Sequence, residues 1–314
     1  MMTAQTLLAL VAFLAVQSSQ PPMRDLFPSV LPIAKYANVM SLAPVRQSPE
    51  SIGVEVTARS AVVMDVGSGR VLFEKDADVS LPIASMTKLI TAMTFLDGKP
   101  KMEEVVEVLP EDEDEDAKGA INDHESLTNG DLLQALLVGS VNKAANAIAR
   151  SHGGKESFVR AMNHKARTLQ LRGAAFVDPS GIHAGNQATA RDVALVMRAA
   201  LSYPEIRAIT ERSSASFIGR TSQKSYDIKS TNLLLTSYLN HAPYQILIGK
   251  TGSLPQAGFC LSLATRFQEQ HDVVVVVLNS DNHFSRFQDV KALTTWAFDA
   301  YTWPSRPMSA SVKP

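Results

Sequence analysis

The chain has 314 residues, of which 45% are hydrophobic and 19% charged, a composition that excludes a disordered or collagen-like protein and suits one large domain or two small ones. Its 30 basic and 31 acidic side chains leave a net charge of -1, so nothing favours nucleic acid as a partner. The single cysteine, Cys260, permits neither an internal disulfide nor a thiolate zinc site. The fold must therefore rest on its hydrophobic core.

The N-terminus indicates export. Residues 7–16 form an apolar run (LLALVAFLAV) that is too short to span a bilayer and is followed by the small residues Ser18 and Ser19, as in a signal peptide. We predict a signal peptide over residues 1–20, and the alternatives are a frayed apolar start of the chain or an uncleaved anchor. Six prolines between residues 21 and 53 predict an extended segment over 21–57, ahead of a domain at 58–303 and a tail at 304–314.

Periodic patterns predict strands at both ends of the chain and helices between them. Residues 60–66 and 70–75, joined by a Gly-Ser-Gly turn, predict a β-hairpin. Residues 85–96 carry apolar side chains on one helical face. Further helices are expected at 131–138, 143–150, 157–171, 190–200 and about 286–301, and further strands at 244–249, 257–264 and 272–278.

This order of elements predicts an α+β fold. Its mostly antiparallel five-stranded sheet would take strands from both ends of the chain and be flanked by helices. An all-helical lobe, at about residues 97–225, would be inserted between those strands. We expect functional groups to converge in the cleft between the lobe and the sheet.

Residues 111–116 are six consecutive carboxylates, which raises the question of a calcium loop. The sixth position of such a loop would be Ala117 instead of glycine, and the twelfth would be Asp123 instead of glutamate. We therefore predict a solvated acidic loop and no bound metal.

Three short motifs carry the candidate chemistry. Ser85 and Lys88 lie three residues apart at a helix start, so a neutral Lys88 amine could activate the Ser85 hydroxyl. Ser140 and Asn142 lie at a break between helices, where a hydroxyl can relay protons and an amide can hold a peptide. Taken singly, a helix N-cap or a helix junction explains either motif equally well.

The third motif is Lys250-Thr251-Gly252, next to an apolar strand. A cation and a hydroxyl on a strand can bind a carboxylate, and Gly252 would let a substrate backbone lie close to the strand. The alternative is a turn at the strand end with a solvated lysine.

In this order the three motifs resemble the penicillin-binding proteins of the serine D-Ala-D-Ala peptidase family, and the chain looks closest to its D-alanyl-D-alanine endopeptidase branch. The resemblance covers about residues 58–301. Further similar segments are 81–88 (LPIASMTK), 176–181 (FVDPSG), 230–233 (STNL) and 257–261 (AGFCL).

The resemblance implies a peptidase of bacterial peptidoglycan in the periplasm that is acylated by penicillin and other β-lactam antibiotics and needs no cofactor. It assigns Ser85 as the acylated nucleophile, Lys88 as its proton acceptor and Ser140 as the relay to the leaving amine. It implies no stable membrane anchor after signal cleavage.

The resemblance also implies a set of substrate-binding residues. Asn142 would hold the substrate peptide, and Lys250 and Thr251 would bind a carboxylate beside Gly252. Lys250 would also help to keep Lys88 neutral by repulsion, and the backbone N–H groups of Ser85 and Ser253 would form an oxyanion hole. Lys143, which follows Asn142, leaves the charge at that edge of the cleft open.

Three rival functions stay open. A class A β-lactamase needs a deacylating glutamate in a Glu-x-x-Leu-Asn string, which the sequence lacks. A D-Ala-D-Ala carboxypeptidase usually carries a second β-domain and a C-terminal amphipathic helix, so an endopeptidase is favoured. A wall-binding protein without catalysis would show no penicillin adduct.

Overall fold

The structure is a computed structural model that describes residues 43–47, 53–113 and 120–304. These residues belong to one compact unit, Ala34–Pro314. Its strands are β1 (Val45–Arg46), β2 (Ser60–Asp65), β3 (Val71–Lys75), β4 (Leu81–Pro82), β5 (Val105–Val108), β6 (Glu125–Thr128), β7 (Gln187–Ala188), β8 (Ser214–Ile218), β9 (Ser225–Lys229), β10 (Tyr244–Leu254), β11 (Gly258–Phe267), β12 (His271–Ser280) and β13 (Tyr301–Thr302).

The helices occur at the predicted places, with boundaries that shift by a few residues. The α-helices are α1 (Lys88–Asp97), α2 (Asn129–Val138), α3 (Asn142–Ser151), α4 (Lys155–Thr168), α5 (Ala190–Ala200), α6 (Pro204–Thr210) and α7 (Ser285–Ala300). Short 3-10 helices cover Ala84–Thr87, Pro110–Asp112, Leu233–Thr236 and Tyr238–Asn240. The helix α6 was not predicted, because its seven residues are too few for a clear period.

The main sheet confirms the predicted fold class. It has five strands in the order β10-β11-β12-β2-β3, and every neighbouring pair is antiparallel. The predicted hairpin is β2 and β3, and the three late strands are β10, β11 and β12. Strand β10 therefore lies at an edge of the sheet, where it borders the helical part of the molecule.

The two faces of this sheet bury separate hydrophobic clusters, because successive side chains on a strand point to opposite faces. Val62 and Val276 belong to the cluster shared with the helices of the lobe. Val63 and Val275 belong to the cluster shared with α7. The central strands β2 and β12 are consequently buried on both faces, which explains their nearly continuous apolar sequences.

The prediction of an all-helical lobe is wrong. Two antiparallel strand pairs occur there, β5 with β6 and β8 with β9; three of these strands lie within residues 97–225, and β9 begins at its end, at Ser225. Each of these strands has only four or five residues, and all four alternate between more and less buried side chains. This alternation, as in Val105–Val108, is the strand signal that the helical assignment overlooked.

The prediction of a solvated acidic loop is wrong for Asp112. This side chain is fully buried, and its carboxylate accepts two hydrogen bonds from Arg150, at 2.9 and 2.8 Å. Asp112 also accepts a hydrogen bond from the backbone N–H of Leu109 at 2.9 Å. It therefore closes a local turn and forms an ion pair with Arg150 on α3. Residues 114–116 lie outside the described part of the chain.

The segments predicted at the chain ends fall mostly outside the described residues. The signal peptide (1–20) and the tail after residue 304 lie outside entirely, and only part of the 21–57 segment is described. The domain at 58–303 stays a prediction. Among the described residues, no helix is long and apolar enough to cross a bilayer.

Candidate active site

Ser85 lies in a 3-10 turn at the start of the helix that continues as α1. The residue before it, Ala84, has a φ of 49°, a left-handed conformation that a residue with a side chain adopts at a cost. Two glycines allow other segments to approach this turn. A Cβ on Gly181 would lie 2.1 Å from the Ala84 carbonyl oxygen, and a Cβ on Gly252 would lie 2.7 Å from that of Ile83. The turn that carries Ser85 is therefore held from two sides.

Lys88 is fully buried and its amine is directed at Ser85. Its Nζ lies 2.9 Å from Ser85 Oγ and 2.7 Å from Asn142 Oδ1, and it also donates to the Ser180 carbonyl oxygen. The amine thus links three separate segments of the chain at one point. An amine at this distance can take the hydroxyl proton of Ser85 once it is neutral.

Ser140 and Asn142 lie at the predicted break between α2 and α3. Ser140 has a φ of 59°, and Gly139 before it has no room for a side chain, because a Cβ there would lie 2.1 Å from Ile228 Cγ2. Asn142 is the first residue of α3 and reaches Lys88, whereas Ser140 turns to Lys250. The two residues therefore contact different lysines, Asn142 contacting Lys88 and Ser140 contacting Lys250.

The Lys250-Thr251-Gly252 motif lies within β10, and Lys250 connects this strand to the α2–α3 break. Lys250 is 1% exposed, and its Nζ donates to Ser140 Oγ at 2.7 Å and to the Thr251 carbonyl at 3.0 Å. Ser253, one residue further along, is exposed. All eight predicted site residues thus lie on the nucleophile turn with α1, the α2–α3 break and the end of β10.

The charge of Lys250 is disfavoured where it lies. Burial lowers the pKa of the Lys250 amine well below its ordinary value, and the nearby positive charges of Lys88 and Arg286 lower it further. The charge of Lys88 thus acts on the Lys250 amine, and the expected converse effect, in which Lys250 keeps Lys88 neutral, stays a prediction.

Three contributors to the site were not assigned from the sequence. Ser180 supplies the carbonyl that accepts from Lys88, and its loop is held by Asp178, which accepts the backbone N–H groups of Ser180 and Gly181 at 2.8 and 2.6 Å. Thr231 Oγ1 accepts from Thr251 Oγ1 at 2.6 Å. The only available signal was that both segments belong to strings that resemble the family.

The third unassigned contributor is Arg286, on α7. It is 4% exposed and donates to the carbonyl of Gly252 at 3.0 Å. This hydrogen bond attaches the end of β10 to α7. An arginine near the start of a helix gives no local sequence signal for this contact, which joins residues 34 positions apart.

Lys143, the residue after Asn142, forms ion pairs within the fold. It is 3% exposed, pairs with Glu113 at 3.1 Å and with Asp123, and also donates to the Ile121 carbonyl. Although burial opposes the charge, hydrogen bonds from the ammonium to these two carboxylates raise the pKa of Lys143. Its charge is thus compensated inside the fold.

Metal-ligating side chains do not cluster in the part of the chain that the structure describes. No group of three or more His, Cys, Asp or Glu side chains there is arranged to hold an ion. The groups gathered around Ser85 are hydroxyls, amines and an amide, which suit acyl transfer to a serine.

Comparison with known proteins places the chain among the peptidases. The family described as D-alanyl-D-alanine carboxypeptidase matches residues 44–282. A D-alanyl-D-alanine endopeptidase of Pseudomonas aeruginosa is 31% identical over 264 residues, which is 83% of each chain.

Solved structures show the same similarity in three dimensions. The DD-transpeptidase of Streptomyces K15 superposes with a TM-score of 0.72 at 25% identity, over 79% of this chain and 99% of its own. Penicillin-binding protein D2 from Listeria monocytogenes, in its cefotaxime-bound form, superposes with a TM-score of 0.69 at 28% identity, over 78% of this chain and 99% of its own.

Proposed function

The chain belongs to the D-alanyl-D-alanine carboxypeptidase family of peptidases, and from this premise we propose that it is a serine peptidase that cleaves D-Ala-containing peptide cross-links in bacterial peptidoglycan. The observation that carries the proposal is the 2.9 Å contact between Ser85 Oγ and Nζ of the buried Lys88, which is also in contact with Asn142. A serine with a buried amine at this distance is equipped for nucleophilic catalysis.

The reaction has two halves. Ser85 Oγ attacks the carbonyl carbon of the D-Ala residue while Lys88 Nζ takes the hydroxyl proton, and the oxyanion is stabilised by the backbone N–H groups of Ser85 and Ser253. The C–N bond then breaks, the leaving amine receives a proton through Ser140, and an acyl ester remains on Ser85. Water hydrolyses this ester, the carboxylic acid is released, and the Ser85 hydroxyl is restored.

Other residues bind and orient the substrate. Asn142 uses its oxygen to accept from Lys88 at 2.7 Å, so its amide N–H₂ group is the part that would hold the substrate peptide. Lys250 and Thr251 on β10 would bind the terminal or penultimate carboxylate of the substrate, and Gly252 would let the substrate backbone lie close to the strand. Lys250 and Lys88 would repel each other if both carried a charge, so their proximity favours a site in which at most one of the two amines is protonated.

The same nucleophile would react with β-lactams, as the bound cefotaxime of the similar Listeria protein suggests. We propose that penicillin acylates Ser85 and is released slowly, because the sequence lacks the deacylating glutamate string of class A β-lactamases. Fast turnover of nitrocefin would contradict this part of the proposal.

The proposed place of action is the periplasm. Export would depend on the signal peptide at residues 1–20, and the protein would associate with the cell wall through its substrate. Fractionation of cells that express the full chain would test this, since retention in the cytoplasm would contradict it.

The activity is tested by digestion of purified muropeptides. The wild type is expected to convert cross-linked dimers to monomers, and Ser85→Ala is expected to lose at least about a thousandfold in rate, because the nucleophile is removed. Ser80→Ala is a matched control five residues earlier, where the serine is exposed and its hydroxyl donates to the Gly173 carbonyl instead of contacting Lys88. If Ser85→Ala keeps the activity, the assignment of the nucleophile is wrong.

A further inference from the structure

Two neighbouring backbone carbonyls of the turn at residues 178–181 face helix α1. The Ser180 carbonyl accepts a hydrogen bond from Lys88 Nζ, and the Pro179 carbonyl accepts one from Thr91 Oγ1 at 2.6 Å. A carbonyl oxygen can only accept, so both hydrogen bonds run from α1 to the turn. Lys88 and Thr91 are three positions apart and lie on the same face of α1. The 178–181 turn thus packs on the helix face that carries the proposed base.

The acceptors around Lys88 Nζ determine where a neutral amine directs its lone pair. Such an amine has two N–H groups, and the structure gives them two acceptors, the Ser180 carbonyl and Asn142 Oδ1 at 2.7 Å. Ser85 Oγ, at 2.9 Å, belongs to a hydroxyl that can donate its hydrogen to the lone pair. The Ser180 carbonyl therefore orients the proposed base toward the nucleophile as well as holding it in place.

Asp178 holds the peptide unit that presents this carbonyl. The Ser180 carbonyl and the Gly181 N–H belong to one planar peptide unit, and in the trans form they point in opposite directions. Asp178 Oδ1 accepts the Gly181 N–H at 2.6 Å, while the carbonyl on the other side of the unit accepts from Lys88. Because the unit is planar, an acceptor that holds its N–H also fixes the direction of its carbonyl. The carboxylate of Asp178 and the amine of Lys88 are therefore linked through a single peptide unit.

The remaining contacts of Asp178 fix its own position. Its Oδ1 also accepts the Ser180 backbone N–H at 2.8 Å, and its Oδ2 accepts the His183 backbone N–H at 3.0 Å and the side-chain amide of Asn186. Asn186 is buried, and its backbone carbonyl accepts the N–H of Ile83 at 3.0 Å, at the entry to the nucleophile turn. The same hydrogen-bond network thus holds the acceptor of Lys88 and the turn that carries the nucleophile.

We propose that Asp178 is a positioning residue for the peptidase reaction, and that it orients the Lys88 amine toward Ser85 through the Ser180–Gly181 peptide unit. The inference rests on the proposed function, because it requires Lys88 to act as the proton acceptor. Asp178 acts from the far side of the peptide unit, where its oxygens are used by the turn and by Asn186. Its loss should therefore slow the chemical step and leave ligand binding in the cleft almost unchanged.

Asp178→Asn tests the proposal. The amide that replaces the carboxylate brings two N–H groups, which must face either the backbone donors of the turn or the donor amide of Asn186. With benzylpenicillin, we expect the acylation rate constant at saturating ligand to fall at least about tenfold, because a small displacement of Lys88 is costly. The dissociation constant of the noncovalent complex should stay within about threefold of the wild-type value. Wild-type acylation by a folded Asp178→Asn protein would overturn the inference.

An exchange of two side chains tests the geometry at constant net charge. In Asp178→Asn combined with Asn186→Asp, the new amide can donate to the new carboxylate, and its oxygen can again accept from Ser180 and Gly181. The exchanged pair is expected to regain most of the lost acylation rate. If the folded double variant acylates as slowly as Asp178→Asn alone, the orientation of the turn does not govern the rate and the inference is wrong.

A matched control separates positioning from general damage. Asp65 is also a buried carboxylate that closes a turn, where it accepts the Ser68 N–H at 2.7 Å. Across the sheet it lies in register with Ile246, near the start of β10, whereas the Lys250 motif lies near the end of that strand. Asp65→Asn should therefore lose stability and acylate at the wild-type rate.

A double-variant cycle shows whether Asp178 acts through the amine. In a Lys88→Ala background, Asp178→Asn should change the residual acylation rate by less than about twofold, because the group that it orients is absent. An equal loss of rate in the wild-type and Lys88→Ala backgrounds would show that Asp178 supports the cleft in general, which would contradict the inference.

Thr91 decides the question if Asp178→Asn does not fold. Thr91→Val removes the hydroxyl that holds the Pro179 carbonyl, whereas Thr91→Ser keeps it. We expect acylation to slow at least about threefold in Thr91→Val and to stay near the wild-type rate in Thr91→Ser. Equal rates in the two folded variants would overturn the inference.

The outcomes distinguish this inference from the proposed function. If the folded wild type forms no penicillin adduct, the proposed function fails. If the wild type and Asp65→Asn form the adduct and Asp178→Asn forms it equally fast, only the inference about Asp178 fails.

Discussion

At the scale of single residues, the site depends on backbone positions that are costly to adopt. Ala84 and Ser140 both have positive φ values next to the groups that would react. Such conformations cost on the order of 1–3 kcal/mol each and persist only where the surrounding structure holds them. In this molecule the surrounding structure includes Gly181 and Gly252, which pack against the Ser85 turn without a side chain.

Gly181→Ala tests this packing, with Gly154→Ala as its control. Both glycines have similar positive φ values, 83° and 86°, but a Cβ at Gly181 meets the Ala84 carbonyl at 2.1 Å whereas a Cβ at Gly154 meets nothing within 4 Å. We expect Gly154→Ala to cost about 1–3 kcal/mol of stability and to leave penicillin acylation unchanged.

Gly181→Ala should cost about 1–3 kcal/mol more than the control, because the Ser85 turn must move. The rate of acylation should then fall at least about tenfold in the protein that remains folded. Urea unfolding and acylation time courses measure the two effects. Equal results for both variants would show that the close approach to Ala84 has no role.

The lowered pKa of Lys250 predicts how the free energy of unfolding depends on pH. Its pKa is lowered in the folded state by burial and by the charges of Lys88 and Arg286, so the unfolded chain binds more protons than the folded one between the lowered pKa and the ordinary lysine value of about 10.4. In that window the stability of the wild type rises with pH.

Lys250→Met removes this contribution. The free energy of unfolding of the wild type, relative to Lys250→Met, is therefore expected to increase as the pH is raised from neutrality toward about 10. Urea titrations at several pH values measure the difference. A difference that stays constant or falls with rising pH would show that the Lys250 amine is charged in the folded protein.

The residue types of the site could be read from the sequence, but their pairings could not. The spacing of Ser85 and Lys88 on one helical face predicted their contact. The pairing of Ser140 with Lys250, and of Asn142 with Lys88, depends on how the α2–α3 break turns, since the two residues are only two positions apart. Thr231 and Arg286 act through contacts with β10 that no local pattern encodes.

At the scale of elements, the β8–β9 hairpin shapes the cleft through its contact with the Ser140 turn. Ile228 of β9 packs so closely on Gly139 that the glycine could not carry a Cβ. The far end of the hairpin is held by Glu125 of β6, whose carboxylate accepts the backbone N–H of Thr221 at 2.9 Å and the Tyr226 hydroxyl at 3.0 Å. Ser222 adds its hydroxyl and its backbone N–H.

Glu125→Gln tests this anchor. Although burial favours the neutral acid, the hydrogen bonds from Ser222, Thr221 and Tyr226 together lower the pKa of Glu125. Replacing the carboxylate by an amide introduces two donors where only acceptors fit, which is expected to cost about 1–3 kcal/mol at pH 7. Hydrogen exchange should accelerate first in the 219–226 turn.

The pH dependence gives an independent check on Glu125. Because its folded pKa lies below the unfolded value of about 4.3, the stabilisation is complete above that value and is lost as the pH falls through the folded pKa. The advantage of the wild type over Glu125→Gln should therefore shrink in acid. An advantage that is the same at pH 7 and in acid would contradict the role of the charge.

Element prediction succeeded for the strands of the main sheet and for the longer helices, and it failed for the strands of the small two-stranded sheets. The strands β10, β11 and β12 have ten or eleven residues and were found, as were α1 to α5 and α7. The strands β5, β6, β8 and β9 are short and lie in two-stranded sheets, so their character depends on tertiary packing. The burial of Asp112 within the acidic run could not be predicted either, because its partner Arg150 is 38 residues away along the chain.

At the scale of the whole molecule, the fold joins the two ends of the described chain. Asp289 on α7 accepts the backbone N–H groups of Thr57 and Ala58, at 2.9 and 3.1 Å, and the Thr57 and Ser280 hydroxyls, both at 2.8 Å. This carboxylate connects the entry to β2 with the end of β12, which is its neighbour in the sheet.

Asp289→Asn is therefore expected to destabilise the entire unit. One carboxylate oxygen becomes a donor that faces other donors, which should lower the free energy of unfolding by about 2–3 kcal/mol. Thermal unfolding and penicillin acylation at low temperature measure stability and site integrity separately. A variant with wild-type stability would show that the hydrogen bonds of Asp289 do not stabilise the fold.

The central claim is that Ser85 forms a covalent acyl intermediate with the help of Lys88. Mass spectrometry of the intact protein after treatment with benzylpenicillin, followed by mapping of the modified peptide, tests it most directly. The account predicts one adduct on Ser85 in the wild type, none in Ser85→Ala and much slower formation in Lys88→Ala. An adduct that persists in Ser85→Ala, or no adduct in the folded wild type, would contradict it.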